Sequence, residues 1–316
     1  MTSNVKIVRR IHAELQRRHN KQAGAHDVLA IGLGWAMRGG RPDLARGQVL
    51  LYVVRRKMRK VPKHRRVPEL IRHTIRASRG RSKRVVQFRT DVIEVPEIRN
   101  TGVITDTGTE HFTSGALVQW TDGGTQKWAL LTVGHAVNGL TNNSVTVEPP
   151  GVPSVTGNVL VSTPENAPLD AALIQVPPTL ADSLPDLPGG APVCRVIDDL
   201  INDGQKLHPT GFSLRAGGAA VFTVYGWLPA QDSSAPLLSN APNRNDLLLV
   251  QGRTDDFDPG TSGCVWLGGD AVPQVDAIQI GAFLPDYSRA MGQPMASYLA
   301  WANAQLGTVV TLVRVF

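Results

Sequence analysis

Residues 115–137 read GALVQWTDGGTQKWALLTVGHAV, and their pattern decides the fold. Two apolar runs, Gly115–Trp120 and Trp128–Val133, are separated by a polar stretch holding an Asp-Gly-Gly cluster. Short apolar runs bounded by Gly and Asp mark β-strands joined by turns. Outward along the chain the same pattern recurs at Ser144–Val147, Ala171–Val176, Ala219–Tyr225, Leu247–Gln251, Cys264–Leu267 and Val275–Ala282. Gly, Pro, Asn and Asp separate each run from the next. Many short strands at this spacing predict a sandwich or barrel. A helix is expected at about residues 294–305, with Pro294 suited to its first turn, and a last strand over 308–316. The composition agrees: 31 Gly and 22 Pro supply turns, and a 42% apolar fraction is enough for a packed core.

The first hundred residues differ. They hold 25 Lys/Arg and 7 Asp/Glu, a balance of +18, while the rest of the chain holds 8 and 19, a balance of −11. This contrast predicts two units, a small basic α/β domain over residues 1–96 and a β domain over residues 97–316. Within the front, Ser3 caps a helix over residues 3–20, with Val8, Ile11 and Leu15 at helical spacing. An apolar run from Val28 to Met37 is broken by Gly32 and Gly34. Gln48–Val54 reads as a buried strand, Val67–Ile75 as a short helix, Arg76–Arg84 as an exposed flexible loop, and Val85–Val95 as strand-like. Gly32-x-Gly34 is no phosphate loop, because the third Gly and the following helix are missing.

Three local patterns carry chemistry. In Leu131-Thr132-Val133-Gly134-His135 an apolar strand ends in a His. In Leu169-Asp170-Ala171-Ala172-Leu173 an Asp opens a buried strand. In Pro259-Gly260-Thr261-Ser262-Gly263-Cys264 a Ser sits in a Gly-flanked turn. A Ser hydroxyl is a weak nucleophile until an imidazole takes its proton. The imidazole needs a carboxylate to hold its tautomer and stabilise its charged form. A tetrahedral oxyanion needs converging N–H donors, here expected from Gly260 and Ser262. The order His, Asp, Ser differs from that of subtilisins and α/β-hydrolases.

Residues from about 111 to 283 resemble the trypsin-like, chymotrypsin-fold serine peptidases of bacterial type. The resemblance rests on TVGH, DAAL and GTSG standing where that family has T-A-x-H, D-x-A-L and G-x-S-G. It implies a double β-barrel with the site in the cleft between barrels and peptide-bond hydrolysis by Ser262, His135 and Asp170. It also implies that Asp256, six residues before Ser262, stands at the floor of the primary specificity pocket and selects Arg or Lys. The other reading of Asp256 is a place in a solvated loop with Asp255 and Asp258. Ile278–Ala282 reads as the strand that pairs with an extended substrate. Two departures stand out. Cys264 and Val265 replace a Gly and a Pro, and Thr261 replaces the Asp that pairs with a freed N-terminus in the digestive enzymes. Residues 28–96 are similar to a short domain preceding trypsin-like domains in uncharacterised bacterial proteins and to the front of the plant narrow-leaf type peptidases.

No stretch reads as a secretory leader or a membrane span, and the two cysteines, Cys194 and Cys264, are too few for a disulfide scaffold. The expectation is a cytoplasmic hydrolase needing no metal or cofactor, with a protein or peptide as substrate. The basic front is expected to dock, through charge, on the acidic domain or on a second copy in a homo-oligomer. Nucleic acid is a less favoured partner, since only Tyr52 and Phe88 offer stacking surfaces within residues 51–90. The alternative function is a catalytically silent trypsin-like protein whose front binds nucleic acid or a protein partner. The loop over 76–84 is a candidate site of self-processing.

Overall fold

Helix α1 (Asn4–Gln22) forms as its spacing demands, with Val5, Val8, Ile11 and Leu15 buried along one stripe. Strands β1 (Val28–Arg38) and β2 (Arg41–Val54) pair antiparallel across Gly39, whose φ of 58° suits a residue without a Cβ. Strands β3 (Leu70–Arg76) and β4 (Lys83–Glu94) form a second antiparallel pair, and β4 runs parallel to β2. The short helix expected over 67–75 is therefore a strand. Ile71, Thr74 and Ile75 are β-branched, and an unbroken ladder from Leu70↔Arg89 to Arg76↔Lys83 overrides weak helical spacing. The structure is a computed structural model of the chain. It describes residues 4–22, 28–39, 41–57, 61–62, 66–76, 83–94, 97–99, 112–113, 115–138, 140, 143–147, 153–183, 194–195, 197–202, 206–209, 222–230, 244–252, 257, 261–268, 274–284 and 287–315. The middle of the basic loop, 77–82, lies outside them, while its ends, Arg76 and Lys83, face each other as a ladder pair.

The rest of the chain runs β5 (Glu97–Arg99), β6 (Ala116–Asp122), β7 (Thr125–Thr132), β8 (Ser144–Val147), β9 (Val155–Ser162), β10 (Ala172–Val176), α2 (Pro178–Ser183), α3 (Ile197–Asn202), β11 (Lys206–Pro209), β12 (Phe222–Ala230), β13 (Asn245–Gln251), β14 (Val265–Gly268), β15 (Gln274–Leu284), β16 (Arg289–Pro294), α4 (Met295–Leu306) and β17 (Thr311–Val315). The mainly β expectation holds, and the strands fall into two sheets. The first has the order β17-β6-β7-β10-β9-β8. The second contains a closed antiparallel ring, β12-β13-β16-β15-β14-β11, because β11 also pairs with β12. Period-two alternation divides side chains between cores. Leu117, Leu130 and Ile174 line one face of the first sheet. Val118, Leu131 and Leu173 point the other way, into a cluster shared with Leu249, Ile278 and Met291 of the second. Met295, Tyr298 and Ala302 of α4 join that shared core.

The front is part of the second sheet. Strand β13 takes one edge of β12 along its length, so β11 and β1 divide the other. Phe222 and Thr223 pair with β11, while Gly226 and Trp227 pair with Gly34 and Leu33 of β1. Gly32 and Gly34 serve this close approach, since a Cβ on either would collide with the carbonyl oxygen of Trp227 or Tyr225. Helix α1 packs in the same apolar cluster as Trp227, Leu248 and Val250. Charge contributes Arg9, which pairs with Asp246 at 3.0 Å and stacks over the Trp227 ring. Arg9 is about half exposed, and such a pair is worth at most about 1 kcal/mol, whereas each fully buried aliphatic side chain contributes roughly 1.5–3. Among the described residues the contact expected to be electrostatic therefore also rests on a backbone ladder and an apolar core.

Candidate active site

Strands β7 and β10 are antiparallel neighbours with Thr132 opposite Ala172. The end of one therefore meets the start of the other, and His135 and Asp170 arrive at the same place. His135 sits in a short turn closed by the N–H groups of Val137 and Asn138 on the Gly134 carbonyl. Its own N–H donates to Asp170 Oδ1 at 2.9 Å, and its Nδ1 lies 2.6 Å from Asp170 Oδ2. Gly134 permits this, because a Cβ there would press on Thr163, the Ala171 carbonyl and the Asp170 carboxylate. Both side chains are buried. Nε2 of His135 is buried too and makes no hydrogen bond among the described residues.

Asp170 is held by residues the sequence patterns did not mark. Gln293 of β16 accepts from the Asp170 N–H and donates to the carbonyls of Pro168 and Asn245. Tyr298 of α4 donates its hydroxyl to the Asp170 carbonyl at 2.8 Å. Arg244, just before β13, is completely buried, with Nη2 3.2 Å from Asp170 Oδ2 and Nη1 donating to the Ala167 carbonyl. Burial by itself would raise the Asp170 carboxyl. The charge and hydrogen bonds of His135, then the Arg244 guanidinium, outweigh it and hold the group below the usual carboxylate range. Buried Gln, Tyr and Arg are otherwise ordinary core residues, and only their convergence on one carboxylate sets these apart.

Ser262 comes from the other sheet, in the turn entering β14, and is fully buried. Its carbonyl accepts from the Thr113 N–H, and the Thr113 carbonyl accepts from the Thr132 hydroxyl at the end of β7. Two hydrogen bonds thus tie the Ser262 turn to the strand that presents His135. Gly263 has φ 90°, and a Cβ there would collide with the Thr113 carbonyl, so this turn requires glycine. The Gly263 N–H bonds to the Gln279 carbonyl, and the Gln279 side chain donates to the Thr261 hydroxyl, which fixes the turn against β15. His135 and Asp170 are in direct contact, and Ser262 is brought to the same end of the fold without a hydrogen bond to Nε2. Gly260 and Asp256 lie outside the described residues, although Phe257 beside Asp256 is buried and bonded through its N–H to the Tyr287 carbonyl.

The β15 edge next to this turn is occupied in part. Strand β16 holds one edge through Ala282, and β14 leaves the other after Ile278. Beyond it, β5 pairs antiparallel with Ala282, Phe283 and Leu284. Cys194 and Cys264 are both free thiols, and burial with the nearby Asp276 pushes Cys194 up to about 11. Among the described residues no helix is long and apolar enough to cross a membrane, and no three His, Cys, Asp or Glu side chains converge.

No protein-family model and no curated protein matches the chain. Among solved structures it is similar to an inactive Ser-to-Ala mutant of Rv3671c from M. tuberculosis H37Rv, at 19% identity over 61% of this chain and 86% of that one, with a TM-score of 0.38. It is similar to kallikrein-related peptidase 10, at 12% identity over 65% and 99% of the two chains, TM-score 0.31. It is also similar to the protease Anisep from Arthrobacter nicotinovorans, at 13% identity over 66% and 99%, TM-score 0.27. These are loose likenesses, and the case for the site rests on its own geometry.

Proposed function

We propose that the chain is a chymotrypsin-like serine endopeptidase working through an acyl-enzyme, with Ser262 as nucleophile, His135 as base and acid, and Asp170 as orienting carboxylate. The observation that carries this reading is the His135–Asp170 contact at 2.6 Å beside an unbonded, buried Nε2. With Asp170 ionised, Nδ1 holds the proton and Nε2 is left as an acceptor. Nε2 takes the proton of Ser262 as Oγ attacks the peptide carbonyl, and returns it to the leaving amine. The oxyanion falls to the N–H groups of Gly260 and Ser262. Water then repeats the sequence to release the acid. Asp256 is assigned the floor of a pocket for Arg or Lys, and the stretch 76–84, with four Arg and one Lys, is the chain's own candidate substrate.

The experiment is Ser262→Ala against wild type, with a fluorophosphonate probe and a peptide library read by mass spectrometry. Probe labelling and hydrolysis are expected to vanish together, with a loss on the order of 10⁶-fold in rate. Cuts after Arg or Lys, including some within 76–84, are expected only in the wild type. Hydrolysis that survives in Ser262→Ala would remove the assignment.

A further inference from the structure

We propose that Arg244 is a positioning residue that supplies the permanent counter-charge of Asp170 and so sets the pH range in which His135 works as a base. The proposal rests on the reading of His135 as the base. Burying a guanidinium is among the costliest things a fold can do, yet the Arg244 side chain is 0% exposed. Its Nη2 stands 3.2 Å from Asp170 Oδ2 but is not aligned as a hydrogen-bond donor, so the contact is an ion pair. That oxygen is also the partner of His135 Nδ1. Among the described residues the other contacts of Asp170 bring no charge: Gln293 from β16 is an amide, Tyr298 from α4 is a hydroxyl, and the remaining bond comes from the His135 N–H.

Geometry alone would not require a cation here, because these neutral groups already hold the Asp170 backbone and His135 holds its carboxylate. Charge does require one. While the imidazole is neutral, Asp170 is a fully buried anion, and Arg244 balances it. When the imidazole takes the Ser262 proton, two cations share one anion. The imidazolium is then held less tightly than by an undivided carboxylate. His135 stays available as a base at lower pH, and it hands its proton to the leaving amine more readily.

The test needs no turnover. In the full chain carrying Ser262→Ala, the His135 ring is followed by NMR from pH 5 to 9, its resonance identified by loss in His135→Gln. Arg244→Gln is expected to move the titration midpoint up by about one pH unit, and Arg244→Lys, which keeps the charge, by less. An unmoved midpoint in a folded Arg244→Gln protein would overturn the proposal. A second measurement leaves Arg244 in place. In His135→Gln the imidazole is gone, and the Asp170 carboxyl carbon is expected still to report an ionised group at pH 7. A protonated Asp170 there would show that Arg244 is no effective counter-charge, whatever becomes of the Arg244 variants. If instead hydrolysis survives in Ser262→Ala while both NMR outcomes appear, the peptidase reading fails and the charge pairing stands.

Discussion

A single carboxylate organises the chemistry of this site, and it is held from both sheets. The sequence pointed to His135, Asp170 and Ser262 because each stands in a local pattern at a strand end. Arg244, Gln293 and Tyr298 stand in no pattern. They come from the stretch before β13, from β16 and from α4, and meet at Asp170 only through folding. The lowered Asp170 carboxyl has a consequence for stability. The folded chain binds this proton less tightly than the unfolded chain, where the group titrates near ~3.9. The contribution is therefore complete above that value and is lost as pH falls through the lower folded value. Asp170→Asn is expected to be less stable than wild type at pH 6, with the gap narrowing as pH falls below about 4. Urea unfolding at several pH values between 3 and 6 measures this, and a constant gap would mean that Asp170 is not held in its charged form.

Strands with alternating apolar residues were legible, strands built for other purposes were not. The reading found β6, β7, β8, β10, β13, β14 and β15 within a few residues of their ends, because their Val, Ile and Leu fill the apolar cores. It missed β16, Arg-Ala-Met-Gly-Gln-Pro, which carries a Gly and a Pro and none of the β-branched residues. There Gly292 must lie against Trp266 and the Ile278 carbonyl, and Gln293 must reach Asp170, so its composition answers to the site. It missed β9, whose Thr-Gly-Asn stretch looks like a turn, although Gly157 only makes room for Ile174. Strand β5 is too short to announce itself, and its pairing begins at Ala282, the last residue of the stretch expected from the sequence to pair with an extended substrate. Proline at Glu97, Ile98 and Arg99 together removes every N–H that β5 could donate. Peptide hydrolysis by this variant is expected to rise several-fold, through KM, with the circular dichroism spectrum unchanged. An equal or slower rate would mean that the substrate approaches by another path.

At the scale of the whole molecule the charge split was the loudest feature of the sequence, and it gave no sign of the apolar contacts that join the parts. Lys and Arg on solvated faces say little about what lies beneath them. Among the described residues front and back are joined through β1, read only as an apolar run broken by two glycines, and the stripe of α1, with Arg9 on Asp246 beside them. Raised salt is accordingly expected to leave the thermal midpoint of the full chain almost unmoved. The divided edge of β12 has a further meaning for anyone who cuts the chain. Residues 97–316 made alone would carry an unfinished seam, the half of β12 from Gly226 onward with its backbone groups turned to water and Trp227 and Leu248 stripped of their cover. Such a seam is adhesive, and the nearest matching surface is the same seam on another copy. The fragment should sediment as concentration-dependent oligomers, and co-expressed residues 1–96 should return it to a single species that high salt does not split. A fragment that stayed monomeric, with the thermal midpoint of the intact chain, would show that the front is an ornament on the fold and no part of its closure.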